Sequence, residues 1–228
     1  MISKISETVK GDVGKPQKYI LLLLSLGLVA LFLYFFQILL FSGIFPIEYF
    51  ALIRSEQTFS AWFFSSYVHY DGNHLSGNLG LWVFGSLSLC FITYLRDIKG
   101  KEFPKYYFIL VFSILLLVFP FILSFVSIVF THYDSMLGFS GIAFGLWGVL
   151  IYSVFSLRMF CKGKWGVFFV GVLSFILLIL PFVFSVYYQS SSMATNHLGH
   201  IVGFVLGFIV ACICESSLKK RELIRKGV

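Results

Sequence analysis

The chain has 228 residues, of which 59% are hydrophobic, 20% aromatic and only 12% charged. With a mean hydropathy of +0.94, it carries too much apolar surface for one water-soluble core. The composition therefore excludes a soluble globular protein and indicates an all-α integral membrane protein. On its own, the formal net charge of +7 would suggest a nucleic acid partner. The basic residues lie beside the apolar runs, however, and this distribution favours a membrane protein that binds no nucleic acid.

Six apolar runs are each long enough to cross a hydrocarbon layer about 30 Å thick, which takes roughly 18 residues or more of helix. We number them span 1 to span 6, and they cover residues 19–42, 74–95, 106–130, 140–157, 165–187 and 197–214. The prediction is one six-helix domain over residues 19–214, preceded by the segment 1–18 and followed by a basic tail, 215–228. Pro120 and Pro181 fall inside spans 3 and 5, where they predict kinks.

The positive charges are distributed unevenly over the six-span arrangement. All 17 lysine and arginine residues except Arg54 lie before span 1, between spans 2 and 3, between spans 4 and 5, or after span 6. In a six-span chain these four segments share one side of the membrane. The positive-inside rule assigns that side to the cytoplasm, so we expect a multi-pass protein of the cell membrane with both termini in the cytoplasm.

Span 1 and the cysteines bear on processing and redox state. Span 1 is longer than a signal-peptide core and no small-residue cleavage site follows it, so we expect it to remain as an anchor. In the predicted topology, all four cysteines fall in the cytoplasmic half of the chain: Cys90, Cys161, Cys212 and Cys214. Because thiols stay reduced in the cytoplasm, we predict no disulfide.

The longest connection, residues 43–73, is unusually aromatic and is called the first loop below. Its aromatic residues are Phe45, Tyr49, Phe50, Phe59, Trp62, Phe63, Phe64, Tyr67 and Tyr70. Aromatic side chains concentrate at the boundary between lipid and water. We therefore expect the first loop to be embedded in the membrane interface.

Polar side chains collect at the starts of spans 2, 4 and 6. Span 2 opens with His74 and Asn78, which are four residues apart and share one helix face. Span 4 opens with Ser140, and span 6 opens with His197 and His200. These three spans run in the same direction, so their starts lie at one depth on the extracytoplasmic side. A single histidine there would be an ordinary interfacial residue, but polar side chains gathered at membrane depth indicate function.

These residue types are the parts of a serine hydrolase. A serine becomes a nucleophile when a base takes its proton, and further donors are needed to stabilise the oxyanion. The spans contain no acid at this depth, because Asp71 and Asp134 lie in loops and Glu215 lies at the opposite end of span 6. Serine hydrolases vary the third member of the triad. We therefore predict a serine–histidine dyad.

Two stripes of glycine residues suggest how the serine and the histidine come together. They are Gly141, Gly145 and Gly148 in span 4, and Gly199, Gly203 and Gly207 in span 6. Such stripes let helix backbones approach closely. His200 shares a face with Gly203 and Gly207, so we expect it to point toward the helix on which that stripe packs. Ser140 lies roughly a quarter turn from the glycines of span 4, so spacing leaves its direction open.

Three motifs open the even-numbered spans in order. They are His69-Tyr-Asp-Gly-Asn-His74-Leu-Ser-Gly-Asn78, Gly138-Phe-Ser140-Gly141 and His200-Ile-Val-Gly203-Phe-Val-Leu-Gly207. A Gly-x-Ser-Gly run alone is weak, because glycine and serine are common in membrane helices. The three motifs together make the chain resemble the rhomboid intramembrane serine proteases over the whole six-helix core.

The resemblance implies a role for each matching residue. Ser140 would be the nucleophile and His200 the general base and acid, while His74 and Asn78 would donate hydrogen bonds to the oxyanion beside the Ser140 backbone N–H. It implies a rhomboid-like bundle, transmembrane protein substrates, and no cofactor or metal. One departure concerns the first loop, where the family often has Trp-Arg and this chain has Trp62-Phe63. The structural role of that arginine is therefore absent or filled otherwise.

Two other functions compete with proteolysis. A catalytically silent rhomboid-like protein would bind membrane clients, but such proteins usually lack the serine or the histidine, and this chain keeps both. A histidine-lined metal transporter or metalloprotease could use His69, His74, His197 and His200. The chain has no His-Glu-x-x-His motif and no carboxylate at that depth, which zinc hydrolases need. The sequence leaves substrate identity and oligomeric state open.

Overall fold

The computed structural model describes residues 16–98, 100, 102–104, 106–131, 135–158 and 196–225, together with Val172, Ile176, Ile179 and Val183. Within these residues, five helices are long and apolar enough to cross a membrane, and they correspond to spans 1, 2, 3, 4 and 6. The predicted span 5, residues 165–187, lies outside the described residues except for those four helical, exposed positions. The architecture is the all-α membrane bundle that the sequence predicts.

The helix bounds agree with the predicted spans at most ends. The helices of spans 1, 2, 4 and 6 are Pro16–Phe41, Gly72–Ile98, Ser140–Arg158 and His197–Arg225. Span 3 consists of Tyr107–Ser113, a π-helical turn Ile114–Val118 and Phe119–Phe130. The first loop contains the short helices Ile47–Tyr49, Phe59–Phe64 and Ser65–Tyr67. Strand β1, Leu52–Ile53, pairs antiparallel with β2, Ser135–Met136.

Span 4 is the central helix. Its residues 141–151 are buried on every face, including Ile142, Phe144 and Trp147, which have no exposed surface. It packs on span 2 on one side, where the Trp147 indole N–H donates to the Leu81 carbonyl at 3.1 Å. On the other side it packs on span 6 through the glycine stripes. Span 1, by contrast, contacts span 2 and leaves much of its apolar surface free to meet lipid.

The π-helical turn in span 3 lies just before Pro120. Proline has no N–H to donate to the carbonyl four residues earlier, and its ring crowds that carbonyl. Here that carbonyl belongs to Leu116, and the Tyr67 hydroxyl of the first loop donates to it instead. Burial raises the pKa of Tyr67, so the hydroxyl keeps the proton that it donates. The irregularity predicted at Pro120 is thus the place where the first loop is fastened to span 3.

Arg54 provides a second attachment of the first loop. Its guanidinium donates to the Ile128 carbonyl at 2.6 Å and to the Thr131 carbonyl, at the C-terminal end of span 3. The last carbonyls of a helix have no intrahelical partner and attract positive charge. The Ser124 hydroxyl adds a hydrogen bond of 2.7 Å to the Trp62 carbonyl. An arginine that lies outside the Trp62-Phe63 position therefore anchors the loop.

The opposite end of the bundle is closed by a buried ion pair. Arg96 of span 2 donates to Glu215 of span 6 at 2.7 Å, and both side chains are almost completely buried. The Arg96 guanidinium also lies over the Phe103 ring, 3.7 Å from its centroid. The helix of span 6 continues past this pair to Arg225, beyond the predicted end of the apolar run at residue 214. The first part of the basic tail is therefore helical.

Candidate active site at the starts of spans 2, 4 and 6

Ser140 is the first residue of the span 4 helix. The turn into the helix occurs at Phe139, whose carbonyl accepts from the Ala143 N–H at 3.0 Å. Gly138 precedes it with φ of 128°, a backbone conformation that other residues rarely adopt. N–H groups in the first turn of a helix have no intrahelical partner. Ser140 therefore sits where unpaired backbone donors and the positive end of the helix dipole meet.

His200 lies against the same face of span 4 that carries Ser140. Its imidazole is 5% exposed and stacks flat on the Phe144 ring, with centroids 4.4 Å apart and planes 7° apart. Phe144 follows Ser140 by four residues, which puts the two side chains on one helix face. The His200 ring therefore packs on span 4 one helical turn beyond Ser140.

The glycine stripes hold spans 4 and 6 together at this level. A Cβ on Gly203 would lie 2.9 Å from the Gly141 carbonyl carbon, and one on Gly207 would lie 2.7 Å from that of Gly145. These distances are shorter than ordinary carbon–carbon contacts of about 3.5–4.0 Å. Only glycine therefore allows the backbones to approach so closely. The predicted direction of His200, toward the helix on which its glycine stripe packs, agrees with this arrangement.

His74 and Asn78 lie beside the chain that leads into Ser140. A Cβ on Gly138 would come within 2.6 Å of His74 Cε1 and 3.7 Å of Asn78 Nδ2. The start of span 2 is fixed by Asp71, whose carboxylate accepts from the His74 N–H at 2.7 Å. Both side chains therefore lie beside Gly138, two residues before Ser140. Gly138 is needed here for space as well as for its backbone angle.

Asn196 fixes the first turn of span 6. Its side-chain oxygen accepts from the Gly199 N–H at 2.9 Å, which is the usual N-cap interaction. Its amide nitrogen donates to the Ser127 hydroxyl of span 3 at 2.8 Å. The turn that carries His200 is thereby tied to span 3. An asparagine directly before a helix start is a recognised capping signal, so the sequence contained this information.

Two of the three acids considered in the sequence analysis have structural partners of their own. Asp71 is used as a helix cap, and Glu215 is paired with Arg96 at the other end of the bundle. Asp134 lies outside the described residues. In the parts of the chain that the structure describes, no three His, Cys, Asp or Glu side chains are arranged to hold a metal ion.

Two buried polar residues at the site were given no role in the predicted protease mechanism. His69 and Gln37 have no exposed surface. They are hydrogen-bonded to each other, and His69 is also hydrogen-bonded to Asn78. Gln37 is the only amide side chain between Leu22 and Phe41 of span 1. A polar residue in an apolar span is a signal of function that sequence reasoning could have used.

The amino-acid sequence matches a known protein family over most of its length. The family model described as Rhomboid domain matches residues 56–217, which is well over half of the chain. Neither a curated protein nor a solved structure gives a significant match. The matched region runs from the first loop to span 6 and contains all three motifs and the residues gathered around Ser140. This multi-pass membrane protein belongs to the rhomboid family.

Proposed function

We propose that the protein is an intramembrane serine endopeptidase that hydrolyses peptide bonds in or near the transmembrane segments of other membrane proteins. Ser140 is the nucleophile and His200 is the general base and acid. His74, Asn78 and the Ser140 backbone N–H donate hydrogen bonds to the oxyanion. The family generally consists of such proteases, and this chain retains every one of these residues.

In the first half of the reaction, Ser140 is acylated. His200 removes the proton from the Ser140 hydroxyl as the oxygen attacks the carbonyl carbon of the substrate. The carbonyl oxygen becomes an oxyanion and is stabilised by the three donors and by the N-terminus of span 4. The intermediate then collapses, the carbon–nitrogen bond breaks, and His200 returns the proton to the leaving amine.

In the second half, water regenerates the enzyme. His200 takes a proton from a water molecule that attacks the acyl carbon, and the same donors stabilise the second oxyanion. The bond from the carbon to the Ser140 oxygen then breaks, and His200 protonates that oxygen as the acid product leaves. No step requires a metal or a cofactor, so chelators should leave the reaction unchanged.

The observation that carries this proposal is the gathering of three helix starts around Ser140. His74 and Asn78 of span 2 lie against Gly138, and His200 of span 6 stacks on Phe144 one turn beyond Ser140. A protein that only packs helices together does not need three partly or fully buried polar side chains at one depth. Such side chains are costly in a membrane.

The proposal extends to location and substrates. Both termini lie in the cytoplasm, because the basic residues cluster on that side. The site then opens toward the extracytoplasmic side of the cell membrane. Substrates are single-span or multi-span membrane proteins whose helices unwind locally, because a peptide carbonyl inside an intact helix is shielded by its own hydrogen bond.

A rhomboid-like protein that binds clients without cleaving them is the second candidate. The family match over residues 56–217 fits this function as well as it fits proteolysis. A fluorophosphonate probe separates the two functions, because it reacts covalently only with an activated serine. We expect labelling of the wild type at Ser140 and none in Ser140→Ala or His200→Ala. Labelling at another serine such as Ser135, or no labelling of a folded wild type, would return client binding to first place.

A further inference from the structure

A chain of three buried polar side chains connects span 1 to the proposed oxyanion site. Gln37, His69 and Asn78 are 0%, 0% and 4% exposed. They belong to span 1, the first loop and span 2, so they are brought together only by the tertiary fold. Buried polar groups must satisfy one another, and each hydrogen bond in such a chain restricts the next.

The orientation of the Gln37 amide is fixed by backbone groups. Its nitrogen donates to the His69 carbonyl at 2.8 Å, and its oxygen accepts from the His69 N–H at 2.8 Å. A backbone carbonyl can only accept and a backbone N–H can only donate. The amide therefore cannot be turned over without losing both hydrogen bonds.

This orientation selects the tautomer of His69. The ring atom Nδ1 lies 3.2 Å from the same Gln37 oxygen, which is an acceptor, so Nδ1 must carry the proton. Burial, together with the neighbouring His74, lowers the pKa of His69, so the ring is neutral and Nε2 carries no proton. Two groups donate to Nε2, namely the Asn78 amide nitrogen at 2.9 Å and the Phe139 N–H at 3.4 Å.

The tautomer in turn fixes the amide of Asn78. Because Nε2 of His69 is an acceptor, the amino end of Asn78 faces it and the carbonyl end points away. The same amino nitrogen lies near Gly138, on the path into Ser140. A flipped amide would present an oxygen where the oxyanion forms and would repel it. His69 also touches His74 edge to face, with ring centroids 5.1 Å apart.

We infer that His69 is a positioning residue, which Gln37 holds in the Nδ1–H tautomer so that Asn78 presents its N–H groups to the oxyanion. This inference rests on the proposed protease function and deepens it. His69 acts through Asn78 and through the Phe139 backbone and does not itself contact substrate. A residue that only filled space would stabilise the fold without controlling the donor orientation of Asn78.

Two substitutions of His69 separate these roles. In His69→Gln the side chain is long enough to put an amide oxygen at the position of Nε2, where it can accept from Asn78. In His69→Asn the shorter side chain reaches only the position of Nδ1, so Asn78 loses its acceptor. We expect His69→Gln to keep kcat within about tenfold of wild type. His69→Asn should lower kcat by about 10²- to 10³-fold with little change in KM, as loss of one oxyanion donor does.

The same variants are then combined with Asn78→Ala. If His69 acts through Asn78, His69→Asn should cause little further loss of kcat in the Asn78→Ala background, because residues acting as one unit are not additive. Thermal unfolding of all variants provides the measure of folding. Equal decreases of kcat in His69→Gln and His69→Asn would show that His69 acts only by packing. A further full decrease of kcat in the double variant would show the same.

The tautomer of His69 can also be measured directly, without an activity assay. The full-length protein labelled with 15N-histidine is examined by NMR in bicelles, and the His69 signals are those that disappear in His69→Gln. We expect the ring proton on Nδ1 in the wild type, and a mixture of tautomers in Gln37→Leu. A proton on Nε2 in the wild type would overturn the inference. If the wild type proves folded but shows no Ser140-dependent cleavage, the proposed function fails, while the NMR result still decides whether the hydrogen-bonded chain exists.

Discussion

The contact between spans 4 and 6 predicts that Gly203→Ala moves His200 away from Ser140, the proposed catalytic pair. The added methyl would lie 2.9 Å from the Gly141 carbonyl carbon and closer still to its oxygen. Ordinary carbon–carbon contacts are about 3.5–4.0 Å, so the two helices must move apart by about 1 Å. Overpacking of this kind costs about 1–3 kcal/mol of stability. A shift of about 1 Å between catalytic groups can lower the rate by about 10²-fold.

The assay compares cleavage of a single-span substrate and thermal unfolding in the same detergent. Gly27→Ala of span 1 is the matched control, because a Cβ there meets nothing within 4 Å and alanine favours the helix. We expect the control to keep wild-type activity and stability, while Gly203→Ala loses stability and about 10²-fold in kcat. Wild-type behaviour of Gly203→Ala would show that the helices are not packed through this glycine and that the geometry around His200 is wrong.

Three further predictions concern the rest of the fold. Arg54→Ala should lower stability by about 1.5–3 kcal/mol, the worth of a hydrogen bond to a charged group, and Arg54→Lys should recover part of it in thermal unfolding; an unchanged melting temperature in Arg54→Ala would exclude the anchor. Glu215→Leu should cost about 3–5 kcal/mol, because it breaks the buried ion pair with Arg96, whereas Arg96→Met should cost less, because Lys219 still pairs with Glu215, and the double variant should recover most of the loss; additive losses would contradict the pairing. Reporter fusions after Val228 and within residues 188–196 should report opposite sides of the membrane, and a C-terminal reporter found outside would refute the topology.

The sequence predicted the parts of the structure that depend on local patterns. Spans 1 to 4 and the start of span 6 follow from apolar runs, and helical spacing predicts the shared face of His74 and Asn78 and the direction of His200. The end of the span 6 helix at Arg225 could not be predicted from the sequence, because hydropathy marks only the apolar part of a helix and not its whole length. The end of the apolar run and the end of the helix are separate properties.

Contacts between distant segments could not be read from the sequence. Arg54 was noted only as the exception to the charge pattern, and nothing local indicated that it binds the end of span 3. Pro120 predicted an irregular helix, but the donor that would use the freed carbonyl, Tyr67, is 49 residues from Leu116. His69 and Gln37 show the same limitation, since their meeting depends on how span 1 packs beside the first loop. Hydrogen bonds between distant segments leave no periodic pattern in the sequence from which they could be predicted.

The central claim is that Ser140 cleaves other membrane proteins with His200 as its base. The most direct measurement incubates the purified, full-length protein with a model single-span substrate and compares the wild type with Ser140→Ala, His200→Ala and the double variant, all verified as folded. We predict cleavage by the wild type and none by the three variants, with the double variant no worse than either single one because the pair acts as a unit. Cleavage by folded Ser140→Ala at the wild-type rate would contradict the account.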